Sequence, residues 1–314
     1  MFALLLCLDI KKPWLSVCRR KLMEPTIAGY STALFATWYF IEEWGVLFDA
    51  GDGVISALLQ KSRKIKHVFL SHADRDHLTG LLQFNQLNAR PGFPVMYYPR
   101  DSQSFKAMED FSKKFDRQVA QTQWQPVAPG DRLWIKGDMY VEPIRNGHVE
   151  TEENIIKSLS YKVMQTKRKL KPEFAELPEK ELMKLSLERG KDAISNEVSH
   201  CVLGYSGDTP VEDINRWDNC DILIHEATFL GDGDDVKLRT HGNQHSNLED
   251  VIAMVSNLQI KKLIIGHFSS RYSPGQIDKR LVELCNRYKP AAQVYRLLPG
   301  ETVHNILQKG SING

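Results

Sequence analysis

Short apolar runs alternate along this chain with amphipathic stretches, and polar or glycine-bearing turns separate them. The runs TALFATWYFI, GVLFDA, KHVFLS, PVMYYP, RLWIKG, MYVEPI, HCVLGYSG, DILIHEA, KKLIIGH and QVYRLL predict strands. Apolar residues recurring three and four apart predict helices over 54–62, 77–87, 102–115, 179–190, 246–258 and 274–288. Strands and helices alternate in both halves, which predicts sheets covered by helices, an α/β fold. The stretch 150–195 breaks the rhythm: it has few aromatic residues and mixed charge, and reads as an inserted arm or a solvated helical connection.

The polar positions fall in a second pattern. VFL runs into Ser71-His72-Ala73-Asp74-Arg75-Asp76-His77, EPI leads to His148, LGYS to Asp208, ILI to His225 and Glu226, and LIIG to His267. In an α/β sheet the carboxyl ends of strands share one rim, so residues far apart in sequence can converge there. Five strand ends carrying potential metal ligands point to one site. For the cluster at 72–77 alone, the plainer reading is that Asp74 or Asp76 caps the helix that follows. His67, His200, His241 and His304 lack the strand-end placement and read as ordinary surface or core histidines.

Composition changes this picture little. The 314 residues carry 41 Lys and Arg against 39 Asp and Glu, a balance too mild to imply a nucleic-acid or membrane partner unaided. Cys7, Cys18, Cys201, Cys220 and Cys285 are widely spaced, predict neither a disulfide framework nor a zinc ribbon, and suit a reducing cytoplasm. MFALLLCLDI lacks a preceding basic residue and is interrupted by Asp9, so it does not fit a signal peptide. ALFATWYFI is about half the ~20 residues of a membrane span. Residues 1–22 read as an N-terminal extension, with Met23 an alternative start; the other reading makes 2–8 a first strand. The main domain is placed at 23–308 and a tail at 309–314.

Imidazole and carboxylate suit zinc, manganese or iron at an open, reactive site, whereas a closed structural zinc site favours cysteine. Two ions held together need about seven protein ligands, one of them bridging, and leave room for a water that becomes acidic near neutral pH.

The residues resemble the metallo-β-lactamase superfamily, and within it the ribonuclease Z family. LFDAGDG at 47–53, SHADRDHLTGL at 71–81, NGH at 146–148, SGDT at 206–209, HEATF at 225–229, HS at 245–246 and HFSSRY at 267–272 stand in that family's order, and the resemblance covers about residues 28–300. It implies an αββα sandwich of two mixed β-sheets flanked by helices. It also implies endonucleolytic removal of the 3′ trailer from precursor tRNA, a cytoplasmic homodimer, and no membrane.

The ligand set it implies is His72, Asp74 and His148 for one ion, Asp76, His77 and His267 for the other, and Asp208 bridging. Asp76 would orient or deprotonate the attacking water. Glu226 and His245 would protonate the leaving oxygen, with Ser246-Asn247-Leu248-Glu249 pinning His245 by a capping box. Asp49 reads as a residue that orients ligands through hydrogen bonds. Ser269, Arg271 and Tyr272 are placed to contact a phosphate, Arg271 having a structural ion pair as its other reading.

Two departures qualify the transfer. Asp74 stands where the family has histidine, which adds negative charge and shifts preference from zinc towards manganese or iron. The stretch between His148 and Asp208 lacks the glycine- and proline-rich arm that grips tRNA, though Lys167, Arg168, Lys169 and Lys171 are cations that could contact phosphates. Three functions fit these residues: a ribonuclease Z-like endonuclease, a hydrolase of small phosphodiesters such as cyclic nucleotides, and a non-catalytic binding protein.

Overall fold

The structure is a computed structural model that describes residues 24–231 and 244–314. The expected extension at 1–22 and His241 lie outside the described residues. The first sheet is built from β1 (Ile27–Thr32), β2 (Ala36–Ile41), β3 (Val46–Phe48), β4 (His67–Phe69), β5 (Val95–Pro99) and β6 (Gln123–Val127), in that spatial order. Its first three strands are antiparallel and the rest parallel. The second sheet runs from β7 (Leu133–Lys136) through β8 (Met139–Arg145), β9 (Leu159–Leu170), β10 (Ser195–Tyr205), β11 (Ile222–Glu226) and β12 (Lys262–Gly266) to β13 (Gln293–Arg296). From β10 onward it is parallel.

The helices are α1 (Val54–Leu58), α2 (Arg75–Leu78), α3 (Leu81–Asn88), α4 (Gln103–Ser112), α5 (Glu179–Arg189), α6 (Lys191–Ile194), α7 (Leu248–Ser256) and α8 (Pro274–Tyr288).

The sheets face one another across aromatic contacts: Phe48 lies 4.9 Å from Tyr205 and Phe69 lies 5.3 Å from Tyr161, centroid to centroid. Such rings, buried on folding, contribute about 2–3 kcal/mol each. On its outer face the first sheet packs α1, α3 and α4 through Val54, Leu58, Leu81, Phe84 and Phe105. α7 and α8 cover the second through Val251, Ile252, Val255, Leu281 and Leu284. This is the expected αββα sandwich. Strands buried on both faces, such as β2, carry apolar residues without alternation because both of their faces meet a covered layer.

Several elements differ from the sequence expectation. TALFATWYFI is one apolar run, but Ala33–Phe35 form a turn, so only 36–41 are strand and IAGYST supplies an unpredicted β1. The half-exposed β6 and the long β9 were also not predicted: β9 is apolar only over its first half. The described residues group into two compact units, one of 26–165 with 200–314 and one built on 166–199. In the second unit Arg168 pairs with Asp192 at 2.6 Å and Lys171 donates to the Ala193 carbonyl at 2.9 Å.

Residues 309–314, expected as a tail, return to β13. Ile312 N–H donates to Val294 O at 2.8 Å and Asn313 accepts from Val294 N–H at 2.9 Å. The cysteine reading is corrected too. Cys201 and Cys220 form a disulfide with their Cα atoms 4.7 Å apart, because β10 and the approach to β11 run side by side, and the cysteine argument for a reducing compartment falls with it. Among the described residues, no helix is long and apolar enough to cross a membrane.

Candidate metal centre

The carboxyl ends of β3, β4, β8, β10, β11 and β12 deliver the polar cluster. The turn after β10 is possible only because Gly207 has φ +57°, where a Cβ would meet the Ser71 Cβ at 2.7 Å. That close approach sets Asp208 against the loop after β4. Asp208 Oδ2 then lies 3.7 Å from His72 Nε2, 3.3 Å from His77 Nε2 and 3.3 Å from His267 Nε2. Asp76 Oδ2 is 3.6 Å from His77 Nε2 and 3.4 Å from His267 Nε2. Asp74 Oδ2 is 3.6 Å from both His72 Nε2 and His148 Nε2. The seven residues expected as ligands are thus brought together.

The imidazoles share one arrangement. His77 Nδ1 meets Asp49 at 2.7 Å, His148 Nδ1 the Gln244 carbonyl at 2.9 Å, His267 Nδ1 the Thr228 hydroxyl at 2.9 Å and His72 Nδ1 the Ser71 hydroxyl at 2.9 Å. Engaging Nδ1 from outside assigns the tautomer and leaves each Nε2 lone pair facing the shared centre. Nε2 of His72 and of His148 are buried and lack a hydrogen-bond partner. Unpaired buried acceptors are costly, so converging nitrogens beside carboxylates, two of them without a hydrogen-bond partner, fit a cation.

Among the described residues three groups could each hold an ion: His72 with His148 and Asp208, Asp76 with His77 and His267, and Asp208 with His245 and His267; within each, the ligand atoms lie within 4.8 Å of one another. Nitrogen and oxygen donors without cysteine suit zinc, manganese or iron.

Asp49 behaves as expected of an orienting residue. It is fully buried and accepts Ser71 N–H and Ser71 Oγ, each at 2.7 Å, together with His77 Nδ1 and the Tyr205 hydroxyl. Electrostatics follow the packing. Burial would raise the Asp208 carboxyl, but His267, His77 and His72 hold it well below the usual range. His148 and His72 likewise keep Asp74 strongly acidic. With its side chain 48% exposed, Asp74 is the open member of the cluster.

Glu226 and His245 also meet, Oε1 to Nδ1 at 3.0 Å. Glu226 is held by Thr209 N–H at 2.9 Å, Thr228 N–H at 3.0 Å and Thr228 Oγ1 at 2.7 Å, so it is no solvent-facing loop acid. Burial works against a charged His245, yet the Glu226 charge and hydrogen bond prevail and push its pKa up to about 9. The expected capping box is absent. Asn247, not Ser246, is the N-cap of α7 and makes no side-chain cap; Ser246 Oγ donates to the Thr209 carbonyl at 2.6 Å instead. Asp74 is the N-cap of α2, again without a side-chain cap, so capping does not account for the cluster. His225, though at a strand end, stays out of the centre, its Nδ1 on the Glu226 carbonyl at 2.8 Å.

The centre opens on a cavity of about 800 Å³ lined by Ser269 and Arg271 among others. Arg271 Nε donates to Ser269 Oγ at 3.0 Å, and its guanidinium sits 5.5 Å from the Phe229 ring and 5.7 Å from the Tyr272 ring. Tyr272 packs against the core beneath α8. Thr228, Gln244 and Tyr205 were missed as contributors, although Thr228 lies inside HEATF, two residues from Glu226. Leu34 and Glu150 also line the cavity, and no motif marks them.

The comparisons agree with this geometry. Residues 45–170 match the family model described as a beta-lactamase superfamily domain. "tRNase Z TRZ2, chloroplastic" of Arabidopsis thaliana is 25% identical over 287 residues, covering 87% of this chain and 75% of its own length. Ribonuclease Z of Methanocaldococcus jannaschii is 27% identical over 282 residues, covering 79% and 82%. The solved structure of YhfI from Bacillus subtilis, a metallo-beta-lactamase fold protein, superposes with a TM-score of 0.58 at 16% identity over 89% of this chain and 98% of that one. On sandwich, site and likeness together, residues 45–170 carry a beta-lactamase superfamily domain, and over most of its length this chain is similar to the ribonuclease Z proteins.

Proposed function

We propose that this protein is a metal-dependent phosphodiester hydrolase, a ribonuclease Z-like endonuclease that removes the 3′ trailer of precursor tRNA. The observation that carries the reading is the set of four imidazoles whose Nδ1 atoms are engaged from outside while their Nε2 atoms face Asp76 and Asp208. His72, Asp74 and His148 would hold one divalent ion, Asp76, His77 and His267 the other, with Asp208 between them; zinc suits the set, and Asp74 favours manganese or iron. When bound, such ions polarise a phosphoryl oxygen and lower the pKa of a nearby water.

The chain's own residues supply the rest. Asp76 Oδ2 accepts the Leu34 N–H at 3.0 Å, which orients the carboxylate that takes the proton of the attacking water. Glu226 holds the His245 ring by Nδ1, directing Nε2 outward. The Glu226 charge and hydrogen bond raise the pKa of that ring, which suits it to give a proton to the leaving oxygen. Ser269 and Arg271 line the path of the phosphate. Tyr272, expected beside them, would act through Arg271 by its ring.

A second reading, hydrolysis of a small phosphodiester such as a cyclic nucleotide, draws on the cavity lining. Among its described residues it holds Arg271 and no lysine, against Glu150 and Asp250 beyond the ligand set, which suits one phosphate better than a polyanionic backbone. The test is cleavage of a precursor tRNA and of a cyclic nucleotide across zinc, manganese and iron, with metal content measured. Trailer release next to the mature 3′ end supports the first reading; turnover of the small ester alone installs the second. Activity in fully metal-stripped protein overturns both. Sedimentation of the same preparation tests the homodimer, and fractionation of the native source the cytoplasmic location.

A further inference from the structure

The turn between β1 and β2 is costly in two respects at one residue. Leu34 has φ 69°, a left-handed conformation that glycine or asparagine adopts far more readily. The residue is also 88% exposed, and the adjacent Phe35 is 60% exposed. Neither contributes to a core. A tight turn with asparagine and glycine would connect the same strands without strain or apolar exposure.

The turn is nevertheless firmly held, and its anchors are groups of the site. Leu34 N–H donates to Asp76 Oδ2 at 3.0 Å, and Ala33 N–H donates at 3.2 Å to the carbonyl of Phe268, the residue after His267. Thr32 Oγ1 accepts Gly300 N–H at 3.0 Å behind it. Leu34 lines the same cavity as Arg271 and Phe229. Strain that persists because the surroundings over-determine it gathers where a ligand is handled. Here the result is an exposed apolar pair, of which Leu34 lines the polar cavity above the cluster and Phe35 stands beside it in the chain. In a nucleotide phosphodiester the planar group nearest the phosphate is a nucleobase, and stacking on an aromatic ring such as that of Phe35 tolerates any base.

We propose that Leu34 and Phe35 form a platform that takes the nucleobase next to the phosphate being cleaved, so the turn sets affinity and base dependence while the chemistry stays with the buried cluster. This rests on the phosphodiester reading of the site, and holds for an RNA or a cyclic nucleotide alike. Leu34 and Phe35 are binding residues in this account, not participants in bond breaking.

The test compares two dye-labelled, phosphorothioate-linked ribotetranucleotides, one with bases and one abasic, by fluorescence anisotropy on the metal-loaded protein, with cleavage of the phosphodiester versions followed separately. Wild type should prefer the base-bearing oligomer by about tenfold, the scale of one stacked base. The double variant Leu34→Ser/Phe35→Ser should lose that preference with the abasic affinity unchanged, and Phe35→Tyr should keep it. Equal binding of both oligomers by wild type, or a preference that survives the double variant, overturns the platform. So does equal loss of abasic and base-bearing binding in both variants, which would make the turn structural. A base preference that the double variant abolishes, with no cleavage by any form, supports the platform and removes the hydrolase reading; cleavage without base preference does the reverse.

Discussion

The metal-centre cluster and α5 are both rich in charge, and they treat it oppositely. In the cluster His77, His148, Asp208 and Glu226 are buried, and each faces a partner of opposite sign or a hydrogen-bonding group on another element. In α5 no residue is buried, and its ion pair of Lys184 with Glu188 spans 3.9 Å with both side chains exposed. Charge taken out of water must be satisfied or neutralised, so its presence implies chemistry that repays the cost. Charge left in water implies only solubility. His67 adds a third case. It is buried on β4 and stacked on Tyr97, but faces no carboxylate, and burial pushes its pKa down to about 4 where His245 beside Glu226 goes up to about 9. Burial alone does not make a histidine functional; the partner decides.

Asp208 is the residue whose loss should disturb the buried cluster most. Asp208→Ala should reduce turnover at least ~10³-fold, the scale on which one member of an interdependent catalytic unit is lost, and should reduce metal content with it. Retained metal and activity in that variant would remove the bridging role. His245→Ala should lower kcat by about 10²–10⁴-fold with metal content intact, as expected of a proton donor; parallel loss of metal and activity would recast it as a ligand.

Asp49→Ala should destabilise the fold by about 3 kcal/mol, since it strands Ser71, His77 and Tyr205 donors in the interior. The midpoint of denaturant unfolding reads this, and a shift near zero would show the network to be ornamental to stability.

His67 sharpens the point by pH. Its folded pKa lies below the unfolded value near 6.5, so the unfolded chain takes up the proton first as pH falls. Stability is full above about pH 6.5 and declines by about 3 kcal/mol towards pH 4. His67→Phe should remove that part of the slope in unfolding curves measured across the range. At the other extreme, Lys184→Ala on α5 should change stability by less than about 0.5 kcal/mol. A larger loss would mean that the solvated face has a partner.

Much of the fold and of the site is legible in the amino-acid sequence. Periodicity locates most helices, and α8 spans the predicted 274–288. Strand-end placement singles out His72, Asp76, His148, Asp208, Glu226 and His267; for all but His148, which follows the antiparallel β8, the common direction of parallel strands fixes which end meets the rim. Candidate ligands carried by local loops next to strongly apolar strands are therefore legible. The same reasoning overreaches at His225, since strand-end position cannot tell a ring facing the rim from one turned onto its neighbour's carbonyl.

What tertiary structure alone decided are relations between distant segments. The turn at Ala33–Phe35 sits inside a single apolar run, and its Leu34 N–H is held by an Asp76 carboxylate 42 residues away. The capping box at 246–249 fails because Ser246 finds the Thr209 carbonyl instead. Cys201 and Cys220 pair because two strands lie side by side, which spacing could not reveal. The sequence by itself determined which groups could do chemistry and the sheet edge they would reach, because propensity and alternation are local. Which nitrogen of each histidine faces inward, and which apolar side chain stands at the mouth, was decided only when remote backbone groups competed for the same polar atoms.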